Sequence, residues 1–168
     1  VNLFLTVESG IGYEGIFTRF KVFESYNWMH LVYGLIQNKM GNWYDCVIPN
    51  YFDINDFPEG EGKGDYYAYI GRIMENKGVR TAVDLARDMG KRIKIAGQGS
   101  LKDMGITGEH IDYLGCINPK ERAELLGNAL CTLVPTYYIE PFGGTNVESQ
   151  LEGTPVITSD WGAFPETV

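Results

Sequence analysis

Metal clusters, membrane-spanning stretches and basic patches are all missing from the sequence, and each absence removes a class of function. Cys46, Cys116 and Cys131 stand far apart with no CxxC pair, and His30 and His110 are the two histidines, so no familiar zinc spacing can be assembled. No metal is expected, and the three thiols read as buried groups in a reducing compartment. No apolar run nears the ~20 residues that cross a bilayer, and Val1 to Val7 is too short for a secretory signal. A cytoplasmic protein is expected, with any peripheral membrane contact left to portions beyond the chain. Positive charge is also short: 22 acidic against 14 basic residues give a net charge of -8. That balance excludes nucleic acid and anionic lipid as general partners, though not a local basic pocket.

Apolar content is ample, at 44 % hydrophobic, so a core can form and disorder is excluded despite the 21 glycines, which predict turns. The chain starts at Val1 and ends at Thr167-Val168 in what reads as the start of a helix, so both ends look cut from something longer. Length fits one domain or one domain with part of a neighbour.

Two regimes follow one another. In the first, Val1 to Val7 reads as a strand, Glu8-Ser-Gly-Ile-Gly-Tyr-Glu-Gly15 as a glycine-rich loop, Arg19 to Gln37 as mostly helix with Phe20, Phe23, Trp28 and Leu31 inward, and Tyr44 to Pro49 as a short strand. Turn formers crowd Asn50 to Pro58, and Glu59 to Asp65 is polar and glycine-rich. The division is placed at 55/56: residues 1–55 as the tail of one domain with its linker, residues 56–168 as a second domain. Regular alternation follows, with strands at Tyr66–Ile70, Arg92–Ala96, His110–Leu114, Leu130–Pro135 and Pro155–Ser159, and helices at Gly78–Met89, Pro119–Asn128 and Gly144–Leu151. Strands separated by such helices predict βαβ units on a parallel sheet, with helices on both faces. The fold class is α/β, a Rossmann-like sheet preceded by a partial second α/β domain. On the helix from Gly78, the residues Val79, Ala82, Val83, Leu85 and Ala86 are expected to form the buried face.

The chemistry concentrates in Pro135-Thr-Tyr-Tyr-Ile-Glu140-Pro-Phe-Gly-Gly-Thr-Asn-Val-Glu148. A strand runs out through Val134, a loop carries Glu140, and Gly143-Gly144 opens a helix on which Glu148 falls about one turn in. Both carboxylates are expected to face one crevice at the carboxyl ends of the strands, where open parallel sheets bind ligands. Free N–H groups at Gly144, Thr145 and Asn146 would meet an anion with the help of the helix dipole. Gly71-Arg72-Ile-Met-Glu-Asn-Lys77-Gly78 also follows a strand and precedes a helix, so Arg72 and Lys77 reach over the same sheet edge. Two fixed cations match a diphosphate leaving group whose negative charge grows as its bond breaks.

Glu140, seven residues, then Glu148 resembles the Glu-x7-Glu motif of glycosyltransferase family 4. Glu152-Gly-Thr-Pro-Val-Ile-Thr-Ser-Asp160, Gly162-Ala-Phe-Pro-Glu166, Asn76-Lys77-Gly78, Ala96-Gly97-Gln-Gly99 and Val47-Ile-Pro-Asn-Tyr-Phe-Asp53 extend the likeness from Val47 to Glu166. The resemblance implies a GT-B fold and a retaining, metal-independent transfer of sugar from a nucleoside diphosphate sugar to a hydroxyl acceptor on a glycan, lipid or small molecule. No cofactor beyond the donor is implied. Arg72, Lys77 and Glu140 would be catalytic. Gly71, Gly97, Gly99, Phe142, Gly143, Gly144 and Thr145 would complete the donor site, and Glu148 would hold the ribose. Gly10, Gly12 and His30 resemble an acceptor-side loop and helix. Departures stand at Gly144-Thr145-Asn146, where relatives are aliphatic, and at Ser149.

Plainer readings stand beside these. Arg72 and Lys77 also suit surface ion pairs with Glu75 or Asp84. Glu140 and Glu148 also suit solvated acids, and the Gly10 to Gly15 loop an ordinary turn. His30 also suits a core or boundary position. Gly97-Gln-Gly99 lacks the third glycine of a dinucleotide fingerprint. At the level of function, a phosphorylase or epimerase of the same fold and a non-catalytic nucleotide-sugar-binding module remain alternatives.

Overall fold

The computed structural model of the chain describes residues 4–168. The expected strand over 1–7 lies partly outside these; the first strand runs instead over Val7–Ile11 (β1). The expected helix over Arg19–Gln37 divides into a strand, Phe20–Phe23 (β2), and a helix, Tyr26–Leu35 (α1). Physical causes are visible locally. Phe20-Lys-Val-Phe23 is an aromatic and β-branched run suited to a pleat, and Ser25 starts the helix by accepting the Trp28 N–H at 3.1 Å. A short strand, Cys46–Val47 (β3), completes a parallel sheet in the order β1-β2-β3. Ile11, Phe23, Trp28 and Val32 form its core, with Ile139 from the later glutamate loop packed against them.

Glu8 shapes the glycine-rich loop from beneath. Its buried carboxylate accepts from the Tyr13 hydroxyl at 2.7 Å, the Thr18 N–H and hydroxyl at 3.0 Å each, and the Phe17 N–H at 3.1 Å. Burial pushes this carboxyl up, but those four donors outweigh it and hold it below its ordinary value.

The second sheet is also wholly parallel. Its strands are Tyr66–Ile70 (β4), Arg92–Ala96 (β5), Ile111–Gly115 (β6), Cys131–Val134 (β7) and Val156–Thr158 (β8), ordered β6-β5-β4-β7-β8. The helices are Val79–Asp88 (α2), Pro119–Gly127 (α3), Gly144–Leu151 (α4) and a four-residue turn at Phe164–Thr167 (α5). Period-two alternation on β4 separates the two faces. Tyr69 joins Val79, Ala82, Val83 and Ala86 of α2 in one core, whereas Tyr66 and Ala68 join Leu125 and Leu126 of α3 in the other. Leu85 departs from the expected buried stripe: it is 38 % exposed, one position off the 79, 82, 83, 86 line.

The thiols depart as well, since only Cys131 is buried while Cys46 and Cys116 are exposed. Among the described residues no helix is long and apolar enough to cross a membrane. The order β6-β5-β4-β7-β8 reverses direction between β4 and β7, and at such a switch point neighbouring loops diverge to opposite faces and leave a crevice.

Candidate donor-binding site

That crevice, of about 160 Å3, is lined by Gly71, Arg72, Lys77, Glu140, Gly143, Gly144, Thr145 and Asn146 among others. Arg72 and Glu140 thus open onto one space, as the motifs required. The backbone is drawn tight around it. A Cβ on Gly97 would stand 1.8 Å from the Gly71 carbonyl oxygen, and one on Gly78 would stand 1.9 Å from that of Pro135. Both glycines also hold positive φ, at 145° and 73°, so no other residue lets the loops after β4, β5 and β7 approach so closely.

Two further devices fix the Arg72–Lys77 loop. The Tyr69 hydroxyl lies 3.2 Å from the carbonyl oxygens of both Arg72 and Lys77. Burial, then the charge of Glu140, pushes this phenol well up, so it stays a neutral donor. The Asn76 carbonyl collects the Tyr137 N–H at 2.8 Å, the Thr136 hydroxyl at 2.9 Å and the Tyr138 N–H at 3.1 Å. Through these bonds the loop after β4 is tied to the loop after β7.

Lys77 Nζ pairs with Glu140 Oε2 at 2.5 Å and stands 4.6 Å from the centre of the Tyr138 ring. Surface pairing with Glu75 or Asp84 is therefore not what occupies Lys77; those acids meet Arg80 and Arg87. Arg72 has no ion pair among the described residues and is exposed at the rim. At the start of α4, no protein acceptor among the described residues meets the N–H of Gly144 or Thr145. The Asn146 N–H departs from the expected trio, because it already donates to the Gly143 carbonyl at 3.0 Å.

Glu148 does not line the crevice directly. Its carboxylate sits on the α3 flank of α4, in an ion pair with Arg122, with Oε1 on the Gly144 side. Burial raises this carboxyl, and Arg122 opposes the rise. Phe142 is buried and stacks on Phe52 at 6.0 Å, so it anchors the loop from behind. Gly97 and Gly99 form the wall behind Gly71, held by the Tyr113 hydroxyl at 2.9 and 2.8 Å from their carbonyls. Gly12 abuts Pro141: a Cβ there would stand 2.9 Å from the Pro141 Cβ. The glycine-rich loop thus reaches the rim of the crevice. Gly10 has open space around it. His30 is exposed on α1, beside Tyr33 and Gln37, outside both the crevice and the core.

Two contributors escaped the motifs: Arg122 and Tyr69 carry no spacing signal of their own. Asn146 is fully buried, and neither of its amide atoms has a hydrogen-bond partner among the described residues.

Residues 52–168 match the family model described as glycosyl transferases group 1. An uncharacterized glycosyltransferase of Methanocaldococcus jannaschii is 25 % identical over 159 residues, covering 82 % of this chain and 40 % of that protein. Glycogen synthase of Mycobacterium tuberculosis is 31 % identical over 112 residues, 60 % of this chain and 27 % of the relative. The chain therefore spans less than half the length of these curated relatives. Among solved structures, a glycosyltransferase involved in avilamycin A biosynthesis superposes with a TM-score of 0.72 at 21 % identity, over 87 % of this chain and 46 % of that one. Anabaena HepE in complex with UDP-glucose gives 0.72 at 20 % identity, over 90 % and 48 %. These likenesses establish the GT-B type of fold. With the family model matching well over half of its length, the chain belongs to the group 1 glycosyl transferases.

Proposed function

We propose that the chain carries the donor half of a retaining, metal-independent glycosyltransferase of family 4, which moves a sugar from a nucleoside diphosphate sugar to a hydroxyl acceptor. The observation that carries the reading is the shared crevice: two basic side chains and a glutamate meet the bare N–H groups of α4 at the topological switch point. The UDP-glucose bound in the Anabaena structure supports a sugar nucleotide as occupant. Residues 1–55 belong in this reading to the acceptor-side domain and 56–168 to the donor domain, in a cytoplasmic enzyme without a cofactor.

In the proposed reaction the diphosphate lies over Gly144 and Thr145, with Arg72 and Lys77 on its oxygens. Glu140 accepts hydroxyls of the sugar. The bond between the anomeric carbon and the β-phosphate oxygen breaks, and its electron pair leaves with the diphosphate. The acceptor oxygen adds on the same face, and its proton passes to the departing phosphate oxygen. Fixed cations stabilise the charge that develops there, the role a divalent ion has elsewhere. Lys77 exchanges its partner Glu140 for phosphate when the donor enters, and the ion pair holds both side chains at the crevice until then.

Assay of the protein with UDP- and GDP-sugars in the presence of chelator tests the reading. Transfer with retention at the anomeric carbon supports it. Binding without transfer to any hydroxyl acceptor favours a non-catalytic module, and a requirement for divalent metal removes the mechanism.

A further inference from the structure

Glu148 on α4 and Glu152, which caps the C-terminus of that helix, stand four residues apart, and Arg122 of α3 is the cation that acts on both. The start of α3 is fixed by a capping box, in which the Asn118 side chain accepts the Glu121 N–H at 3.0 Å and the Glu121 carboxylate accepts the Asn118 N–H at 2.9 Å. That sets the rotation of the helix and so the direction of Arg122. Its Nη2 pairs with Glu148 Oε2 and donates to the Thr145 hydroxyl at 3.2 Å. One guanidinium therefore ties together two positions a turn apart on α4. The second oxygen, Oε1, lies on the other side, 4.0 Å from where a Cβ on Gly144 would stand, and Gly144 lines the crevice.

We propose that Arg122 is a positioning residue for the donor site: by engaging one oxygen of Glu148 it turns the other towards Gly144, where the ribose hydroxyls are to be met. The inference rests on assigning the crevice to a sugar nucleotide. Charge balance supports it. Glu152 is 2 % exposed; burial first, then the charge of Glu148, pushes its carboxyl up to about 7, against the pull of Arg122 and a bond from the Gly127 backbone. Burial raises Glu148 too, and there Arg122 is the opposing force. Two acids share one cation, and Arg122 is the counter-charge that opposes the rise of both. Of the other charged groups nearby, Glu121 is committed to its cap, and exposed Glu59 lies beside Gly153 at the far end of α4. Without Arg122, Glu148 has burial and a neighbouring acid but no counter-charge. It takes up a proton and loses an acceptor that a ribose diol needs.

The test compares wild type with Arg122→Gln and Arg122→Lys in two measurements. Carboxyl-carbon NMR without ligand follows Glu148 directly: Arg122→Gln is expected to raise its titration midpoint by about one pH unit or more, with Arg122→Lys restoring most of it. An unmoved midpoint overturns the proposal. Calorimetry with UDP and with GDP across neutral pH then reads the site: Arg122→Gln is expected to weaken nucleotide binding about tenfold below neutrality and to recover as pH rises, with Arg122→Lys close to wild type. A loss equal at every pH and shared by Arg122→Lys makes Arg122 a packing strut and overturns the proposal. If Glu148 shifts as expected while wild type binds neither nucleotide, positioning by Arg122 stands and the donor assignment falls.

Discussion

Lys77 Nζ and Glu140 Oε2 stand 2.5 Å apart within the crevice, at side-chain exposures of 18 % and 19 %. They come from loops 63 positions apart in the chain, brought together because β4 and β7 are neighbours in the sheet. The pair is too sheltered to be dismissed as a surface ion pair, and it keeps a cation at the mouth of a helix that already favours anions.

Removing that cation affects the rate more than the binding. Lys77→Ala is expected to lower kcat by about 10²–10³, with a smaller change in KM, because the charge it meets grows as the diphosphate departs. Steady-state kinetics checks this, and equal losses in kcat and KM would assign Lys77 to uniform binding instead.

The crevice around Lys77 is the part of the molecule most legible in the sequence. Glu140, Gly143, Gly144, Arg72 and Lys77 lie in the segments that lead from a strand end to the next helix, so local chain order alone puts them on one sheet edge, and the βαβ alternation from Tyr66 onward appears in the structure to within a residue or so. Arg122 was illegible for the opposite reason: its link to Glu148 depends on how α3 packs against α4, which no spacing within either helix encodes. The first forty residues misled through composition. A mixed aromatic and β-branched run suits helix and strand alike, and Ser25 decides where one gives way to the other. Glu148 lies one turn into α4, as its spacing from Gly144 predicts, but its carboxylate turns to the α3 flank, where Arg122 supplies the counter-charge.

Glu152 makes stability depend on pH in an unusual direction for an acid. Its folded carboxyl titrates at about 7, above the 4.5 of an ordinary glutamate, so the folded state holds its proton more tightly than the unfolded state. The contribution is fully present below the unfolded value and is lost as pH rises through the folded one. Urea denaturation between those limits is expected to show Glu152→Gln with a flatter profile than wild type and greater stability above neutrality. Parallel profiles for the two proteins would show that this carboxyl is not perturbed.

Glu166 closes the chain back onto its beginning. Its two carboxylate oxygens accept the N–H groups of Tyr26 and Asn27 at 2.9 and 2.7 Å, at the start of α1, so an acid of the second sheet's last turn caps a helix of the first unit. Glu166→Gln is expected to cost ~0.5–2 kcal/mol, the range for charge and capping at a helix N-terminus. Thermal denaturation measures the loss, and faster hydrogen exchange at the Tyr26 and Asn27 amides locates it. Unchanged exchange there would mean that the cap contributes nothing in solution.

Glu148→Gln separates ribose recognition from phosphate recognition. It is expected to weaken UDP or GDP by about tenfold, as a charge-assisted bond is replaced by a neutral one, while inorganic pyrophosphate, which has no ribose, binds as before. A matching loss for pyrophosphate would move Glu148 from the ribose to the general stability of α4.

The most direct measurement is calorimetric titration of the protein with UDP and GDP in chelator, for wild type and for the Arg72→Ala/Lys77→Ala double variant. One of the nucleotides is expected to bind wild type without metal and to lose most of its affinity in the variant. Binding that survives loss of both cations, or that appears only when a divalent metal is restored, would contradict the account.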